Sequence, residues 1–346
     1  MQRFGKRPLS WTAAGVLLFT FVAIAQALPP ARVRFHTIGA DAKGVIWKVR
    51  LSVDEPMLVS GARDIPVKTK DPLDLFEIYA IIDLHDTAWI VDGEGRGVRV
   101  KLADGVVEEF RVPVTMQLVG GIVVRDGRLY FGDSGGATGQ TVRQMDVASG
   151  ETKTLLTLAA ERTLYKLVPG KLRLWIASCS GLASSRHIIE LAALDWAGGN
   201  VTLQSQREMP WANPSWNSLE VVEAEDGAAW VATGLSGRVE RLDASGMWQG
   251  WSLDGLRPSK LVAARFGAAC LLEQLQMTKG PHFPGAPIEV PTLLGREIAA
   301  FQPGSPKFMK CPVETDVNLS ADHDGSVRVE GRGRLSLEGG RLQIVP

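Results

Sequence analysis

The sequence predicts an all-β chain built as a β-propeller of six or seven four-stranded blades, preceded by an N-terminal signal peptide. Three observations predict it. A short strand pattern, an aromatic residue followed by β-branched or small ones, recurs with its anchor at Trp47, Trp89, Tyr130, Trp175, Trp230 and Cys270. These anchors lie 42, 41, 45, 55 and 40 residues apart, close to the ~40–50 residues of one four-stranded blade. Beyond the N-terminus the chain shows period-two alternation and Gly-rich turns, with no convincing amphipathic helix.

The N-terminus comes first. Arg3, Lys6 and Arg7 form a basic region, Trp11 to Ile24 an apolar one, and Ala25-Gln-Ala27 a small-x-small site for a signal peptidase. Residues 1–27 are therefore expected to be a signal peptide cleaved after Ala27, with Pro29-Pro30 ending any helix behind it. The alternative is an uncleaved anchor, because no charge lies between Arg7 and Arg32. No later segment is apolar enough to span a membrane, so the mature chain is expected in the periplasm or outside the cell. Residues 28–346 are expected to form one propeller domain, interrupted by irregular inserts near 205–218 and 276–297.

Each blade copy follows one recipe. A polar turn, usually Asp-Gly, launches a short apolar strand; a Gly/Ser-rich turn follows, then an alternating strand, then a hairpin. Asp86 to Asp92 followed by Gly97 to Leu102 is one such copy, and Asp226 to Thr233 followed by Gly237 to Asp243 is another. In the first blade Trp47, Val49 and Leu51 share one face of a half-buried strand, and Lys48, Arg50 and Ser52 the other. From Asp324-Gly325 onward the chain predicts a last antiparallel meander, and pairing of one terminal strand with the other terminus's blade is an expected means of hiding sheet edges. A long β-sandwich is the minor alternative, since its strands need no aromatic residue at this period.

Ala88-Trp89-Ile-Val-Asp92, Leu174-Trp175-Ile-Ala-Ser178 and Ala229-Trp230-Val-Ala-Thr233, each with its following strand, resemble two kinds of propeller repeat. One occurs in the extracytoplasmic sensor regions of two-component regulators; the other is the streptogramin-lyase type. The resemblance covers about two-thirds of the mature chain. It implies the fold more than any activity, because propellers host many unrelated functions. Streptogramin-type lyases use a histidine and a magnesium ion, and no segment around a histidine here matches securely enough to carry either across.

Composition narrows the function. The 38 basic and 38 acidic residues give no net charge, so a broad phosphate-binding surface and a nucleic-acid partner are not expected. Three cysteines, Cys179, Cys270 and Cys311, make no disulfide scaffold, and an odd number leaves at least one unpaired. Gly132-Asp-Ser134-Gly-Gly136 matches the nucleophile motif of trypsin-like proteases. His85, however, lacks the matching histidine context and stands only 49 residues upstream. The motif is better taken as a strand end and its turn, in register with Asp92 to Gly95. Among His36, His85, His187, His282 and His323 none has metal-ligand spacing; His187 is expected at a strand end, and Asp322 to Gly325 as an ordinary turn. Of Trp248 and Trp251, three apart, one is expected between blades and the other near the surface. The terminal arginines alternate with Glu330 and Glu338, as on a solvated strand face.

No catalytic residue, metal or cofactor is assigned. Ligand-binding residues are expected instead where the copies differ. Trp211, Trp216 and Asn217 lie in the insert behind the long 55-residue spacing, where Trp and Pro in a polar loop can form a low-entropy contact platform. His282 and Phe283 lie in the Pro/Gly-rich stretch Gln276 to Glu297, which looks too irregular for strands. The expected function is an exported binding module for a protein, peptide or glycan of the cell envelope. A lyase or hydrolase using the propeller channel is one alternative, and a structural assembly platform another.

Overall fold

The computed structural model describes residues 34–346 apart from 52–55, 75–76, 136–138, 181–186, 197–198, 211–217, 235, 280–288 and 323. Among the described residues there is no helix, and the strands form seven four-stranded antiparallel sheets. Blade 1 is β1–β4 (Arg34–Ala40, Ile46–Leu51, Met57–Val59, Asp64–Pro66) and blade 2 is β5–β8 (Ile78–Ile82, Thr87–Asp92, Arg96–Lys101, Val107–Arg111). Blade 3 is β9–β12 (Leu118–Arg125, Arg128–Asp133, Thr141–Asp146, Thr152–Thr157) and blade 4 is β13–β16 (Arg162–Pro169, Arg173–Ser180, His187–Asp195, Val201–Met209). Blade 5 is β17–β20 (Leu219–Glu223, Ala229–Thr233, Arg238–Leu242, Trp248–Ser252) and blade 6 is β21–β24 (Arg257–Ala264, Gly267–Lys279, Glu289–Phe301, Met309–Val313). Blade 7 is β25–β28 (Leu319–Ala321, Val327–Val329, Gly333–Glu338, Arg341–Val345). The fold is a β-propeller of seven blades.

Every sequence anchor falls on the second strand of its blade: Trp47 on β2, Trp89 on β6, Tyr130 on β10, Trp175 on β14, Trp230 on β18 and Cys270 on β22. That strand is covered on both faces, so its run of aromatic and β-branched residues does not alternate; all five residues of β18 are buried. In β2, by contrast, Trp47, Val49 and Leu51 are buried while Lys48 is exposed and Arg50 half-buried. The launching turn owes its aspartate to hydrogen bonding. Asp41 Oδ1 accepts from the Lys43 and Val45 amides, and Asp83 Oδ1 from those of His85 and Thr87. The second carboxylate oxygen accepts the indole N–H six residues on, at 3.0 Å for Asp41–Trp47 and 2.9 Å for Asp83–Trp89.

The contacts divide the chain into two compact units, one running to Asp92 with Arg96–Arg111, the other Gly93–Gly95 with Val112–Pro346. In the first, a core between blades 1 and 2 joins Trp47, Val49 and Leu58 to Ile90, Val98 and Val100. In the second, cores lie between blades 3 and 4 around Tyr130 and Leu174, and between 4 and 5 around Trp175 and Val231. Two more lie between 5 and 6, around Trp230, Trp251 and Phe301, and between 6 and 7, around Leu271 and Val329. A blade is therefore stabilised by its neighbour rather than by itself.

Two sequence expectations need correction. Among the described residues no strand is exchanged between the termini: β1–β4 and β25–β28 are each built from consecutive strands. Consecutive pairing needs only short hairpins, which the Gly-rich turns supply. Nor is 276–297 irregular throughout. Gln276–Lys279 pairs with Glu289–Thr292, and Glu297 with Leu272, in one long hairpin. Likewise 205–209 belongs to β16.

The remaining expectations can be placed. Trp251 is buried and stacks on Trp230 at 5.3 Å, while Trp248 is half-buried with its indole N–H on Ser205 Oγ. The three cysteines are free; Cys270 packs between blades 5 and 6 and Cys311 against the blade 6–7 core. Arg328 and Arg334 pair with Asp322, and Arg332 with Glu314, along the last sheet.

Candidate functional site

Trp211, Trp216, Asn217, His282 and Phe283 lie outside the described residues, so only the elements that lead to them are on view. Trp211 follows β16, whose last residue Met209 pairs with His187 at the start of β15. His187 is a strand-end residue, fully buried, and that burial pushes its imidazole down to about 4. His282 and Phe283 lie between β22 and β23. Beyond Glu273 β22 has no β21 partner, and before Arg296 β23 has no β24 partner. The pairs from Gln274↔Gly295 to Lys279↔Glu289 thus form a two-stranded extension of the blade 6 hairpin.

The protease-like motif is part of the blade. Asp133 ends β10, buried, accepting hydrogen bonds from the Thr115 amide and hydroxyl and an ion pair from Arg143 at 3.1 Å. These contacts outweigh desolvation and hold its carboxyl below the ordinary value. Ser134 Oγ accepts the Gln117 amide at 3.0 Å. Asp92 ends β6 in the same way, with Arg96 Nε at 2.7 Å. At the other turn in question, Asp324 Oδ1 accepts the Ser326 amide and the Gly325 amide bonds the Asp322 carbonyl.

Several clefts occur among the described residues, and one joins four blades. It has a volume of about 460 Å³ and is lined by the ends of the first strands of blades 4, 5, 6 and 7 with the turn after β13. These strands alternate: in β17 Leu219 and Val221 are buried in the blade, while Glu220 and Val222 are only partly covered. Val168 and Val222 line the cleft, and two residues earlier on each strand Lys166 Nζ meets Glu220 Oε2 at 3.1 Å. Lys260 of β21 lines the next wall, exposed. The carboxylate of Glu223 is buried and committed. Its Oε1 accepts the Trp175 indole N–H and its Oε2 the Leu172 amide, both at 3.0 Å, with Arg173 Nε at 3.8 Å. Gly170 makes this possible, because a Cβ there would stand 2.5 Å from the Glu223 carboxyl carbon.

No family model matches the chain, and no curated protein matches it in sequence. Solved structures do match in fold. A streptogramin B lyase is 12% identical, with 85% of this chain and 89% of that one covered and a TM-score of 0.53. A catalytically inactive variant of virginiamycin B lyase from Staphylococcus aureus with quinupristin is 11% identical, covering 87% and 94%, at 0.53. The dihydro-heme d1 dehydrogenase NirN is 12% identical, covering 81% and 57%, at 0.52. The propeller is shared. At such identities the likeness reaches no further than the fold.

Among the described residues no three His, Cys, Asp or Glu side chains are grouped to hold a metal ion. Among the described residues the cleft lining contains no histidine. Lys166, Glu220 and Lys260 were not singled out in the sequence, where they are three scattered charges. The signal that finds them is positional: each is a charged residue at the uncovered parity of a blade's first strand, and that parity is readable once the blade register is known.

Proposed function

We propose that this protein is an exported single-domain propeller that binds a protein, peptide or glycan of the cell envelope and performs no chemistry of its own. The signal-peptide pattern ending at Ala27 supports export, and no helix of the described residues is long and apolar enough to cross a membrane. The observation that carries the binding reading is the cleft of blades 4–7. Rigid strand ends from four consecutive sheets supply its walls, and Glu223 is locked into the scaffold by an indole and a backbone amide. A preformed concave surface with a few fixed polar groups suits recognition. The Trp211/Trp216 and His282/Phe283 segments are proposed as additional contact surfaces.

The test is calorimetric titration of the purified mature chain with defined envelope peptides, peptidoglycan fragments and oligosaccharides, with product analysis of each mixture. Saturable binding without a product supports the reading. Turnover of a bound oligosaccharide or peptide would replace it with a lyase or hydrolase, and absence of binding throughout would favour a structural platform.

A further inference from the structure

We infer that the cleft of blades 4–7 takes the carboxylate side chains of an acidic peptide segment; the inference rests on the binding reading above and names its ligand. The argument is one of charge left over. Glu223, the carboxylate among the described lining residues, is held by Trp175, Leu172 and Arg173, and Glu220, two residues before Val222, is paired with Lys166. Glu220 stands on the strand between those of Lys166 and Lys260, and it turns to Lys166. Lys260 and Lys171 both line the cleft, and among the described residues neither ammonium group makes an ion pair or hydrogen bond. The cleft thus presents two uncompensated cations.

The walls distinguish a peptide from other anions. Val168, Val222, Val262 and Ala263 give the lining an apolar component, and the exposed Leu172 adjoins it in the turn after β13. Among the described residues no aromatic ring lines the cleft to stack on a sugar. A chain alternating carboxylate and aliphatic side chains matches both features: the carboxylates reach Lys260 and Lys171 while the aliphatic groups cover the valines. Free phosphate or a uronic acid offers the charge without the apolar surface.

The experiment titrates the mature chain by calorimetry with the hexapeptides (Glu-Leu)3 and (Gln-Leu)3 and with trigalacturonate, alongside selection of a displayed random dodecapeptide library. Binding of (Glu-Leu)3 that weakens with salt, falls about tenfold in Lys260→Ala and is lost in Lys260→Glu, yet is retained in Lys260→Arg, supports the inference. Equal affinity for (Gln-Leu)3, or indifference to all three substitutions, overturns it. Lys260-dependent binding of trigalacturonate in place of (Glu-Leu)3 overturns the peptide assignment. Library peptides that bind without acidic residues would leave the binding reading standing while this inference fell. No enrichment and no titration signal would remove both.

Discussion

His187 is where acid should first be felt. An unfolded imidazole takes its proton near 6.5, whereas burial holds the folded one back to about 4. Between those values the unfolded chain binds more protons at this site, so the contribution of His187 to stability is constant above about pH 7, falls as the pH drops through this window and levels below it. The whole shift corresponds to at most about 3 kcal/mol, a large share of a domain's usual 5–15 kcal/mol. The carboxylate of Asp133, held below its ordinary value, acts only at lower pH, so the two effects are separable. Urea unfolding near neutrality and near pH 4.5 should show the drop in the natural protein and a much smaller one in His187→Leu. Equal drops in both would refute the assignment. Residue-level features were unevenly legible. The strand-end place of His187 follows from the Ile188-Ile189 run behind it. The Glu223–Trp175 bond joins residues 48 apart on neighbouring blades, and no local pattern announces a bond of that kind.

At the scale of elements, the β22–β23 hairpin behaves as two different things. Ala268–Glu273 is an inner part of a four-stranded sheet, whereas Gln274–Lys279 with Glu289–Gly295 has only its own partner strand. An isolated two-stranded ribbon is at best marginally stable in water. Its amides should therefore exchange with deuterium far faster than those of Ala268–Glu273. Replacing 275–294 by a two-residue turn should change stability by no more than about 1 kcal/mol, because the shorter loop offsets the lost pairing. Protection of the extension equal to that of the sheet, or a large loss on its deletion, would show that it is packed against something. Counting Pro and Gly suggested an irregular excursion here. The count was dominated by residues 280–288, and it masked the paired flanks Gln276–Lys279 and Glu289–Glu297, whose Thr and Val content favours strands.

For the molecule as a whole, the blade period was the most legible feature, because the second strand of each blade is buried on both faces and must be apolar. Blade 7 escaped the anchor series, since β26 offers only Val327 and Val329, and so six or seven blades remained open. The same packing rule sets the last prediction. The core between blades 6 and 7 joins Leu271, Ile298 and Ala300 to Leu319, Val327, Val329, Leu335 and Leu342. Removing residues 314–346 takes away the second group and leaves the first facing water. At roughly 1.5–3 kcal/mol for each of Leu271 and Ile298, the loss is about 3–6 kcal/mol, a large share of the usual 5–15 kcal/mol of a domain. Other interactions between blades 3 and 6 cannot offset this, because each of their cores is confined to one pair of neighbours. The shortened chain should therefore aggregate or melt without a cooperative transition, although it loses fewer strands than it keeps. A soluble product melting within a few degrees of the full chain would mean that blades 3–6 stand without a terminal partner, and that the stacking of neighbours is not what holds this propeller together.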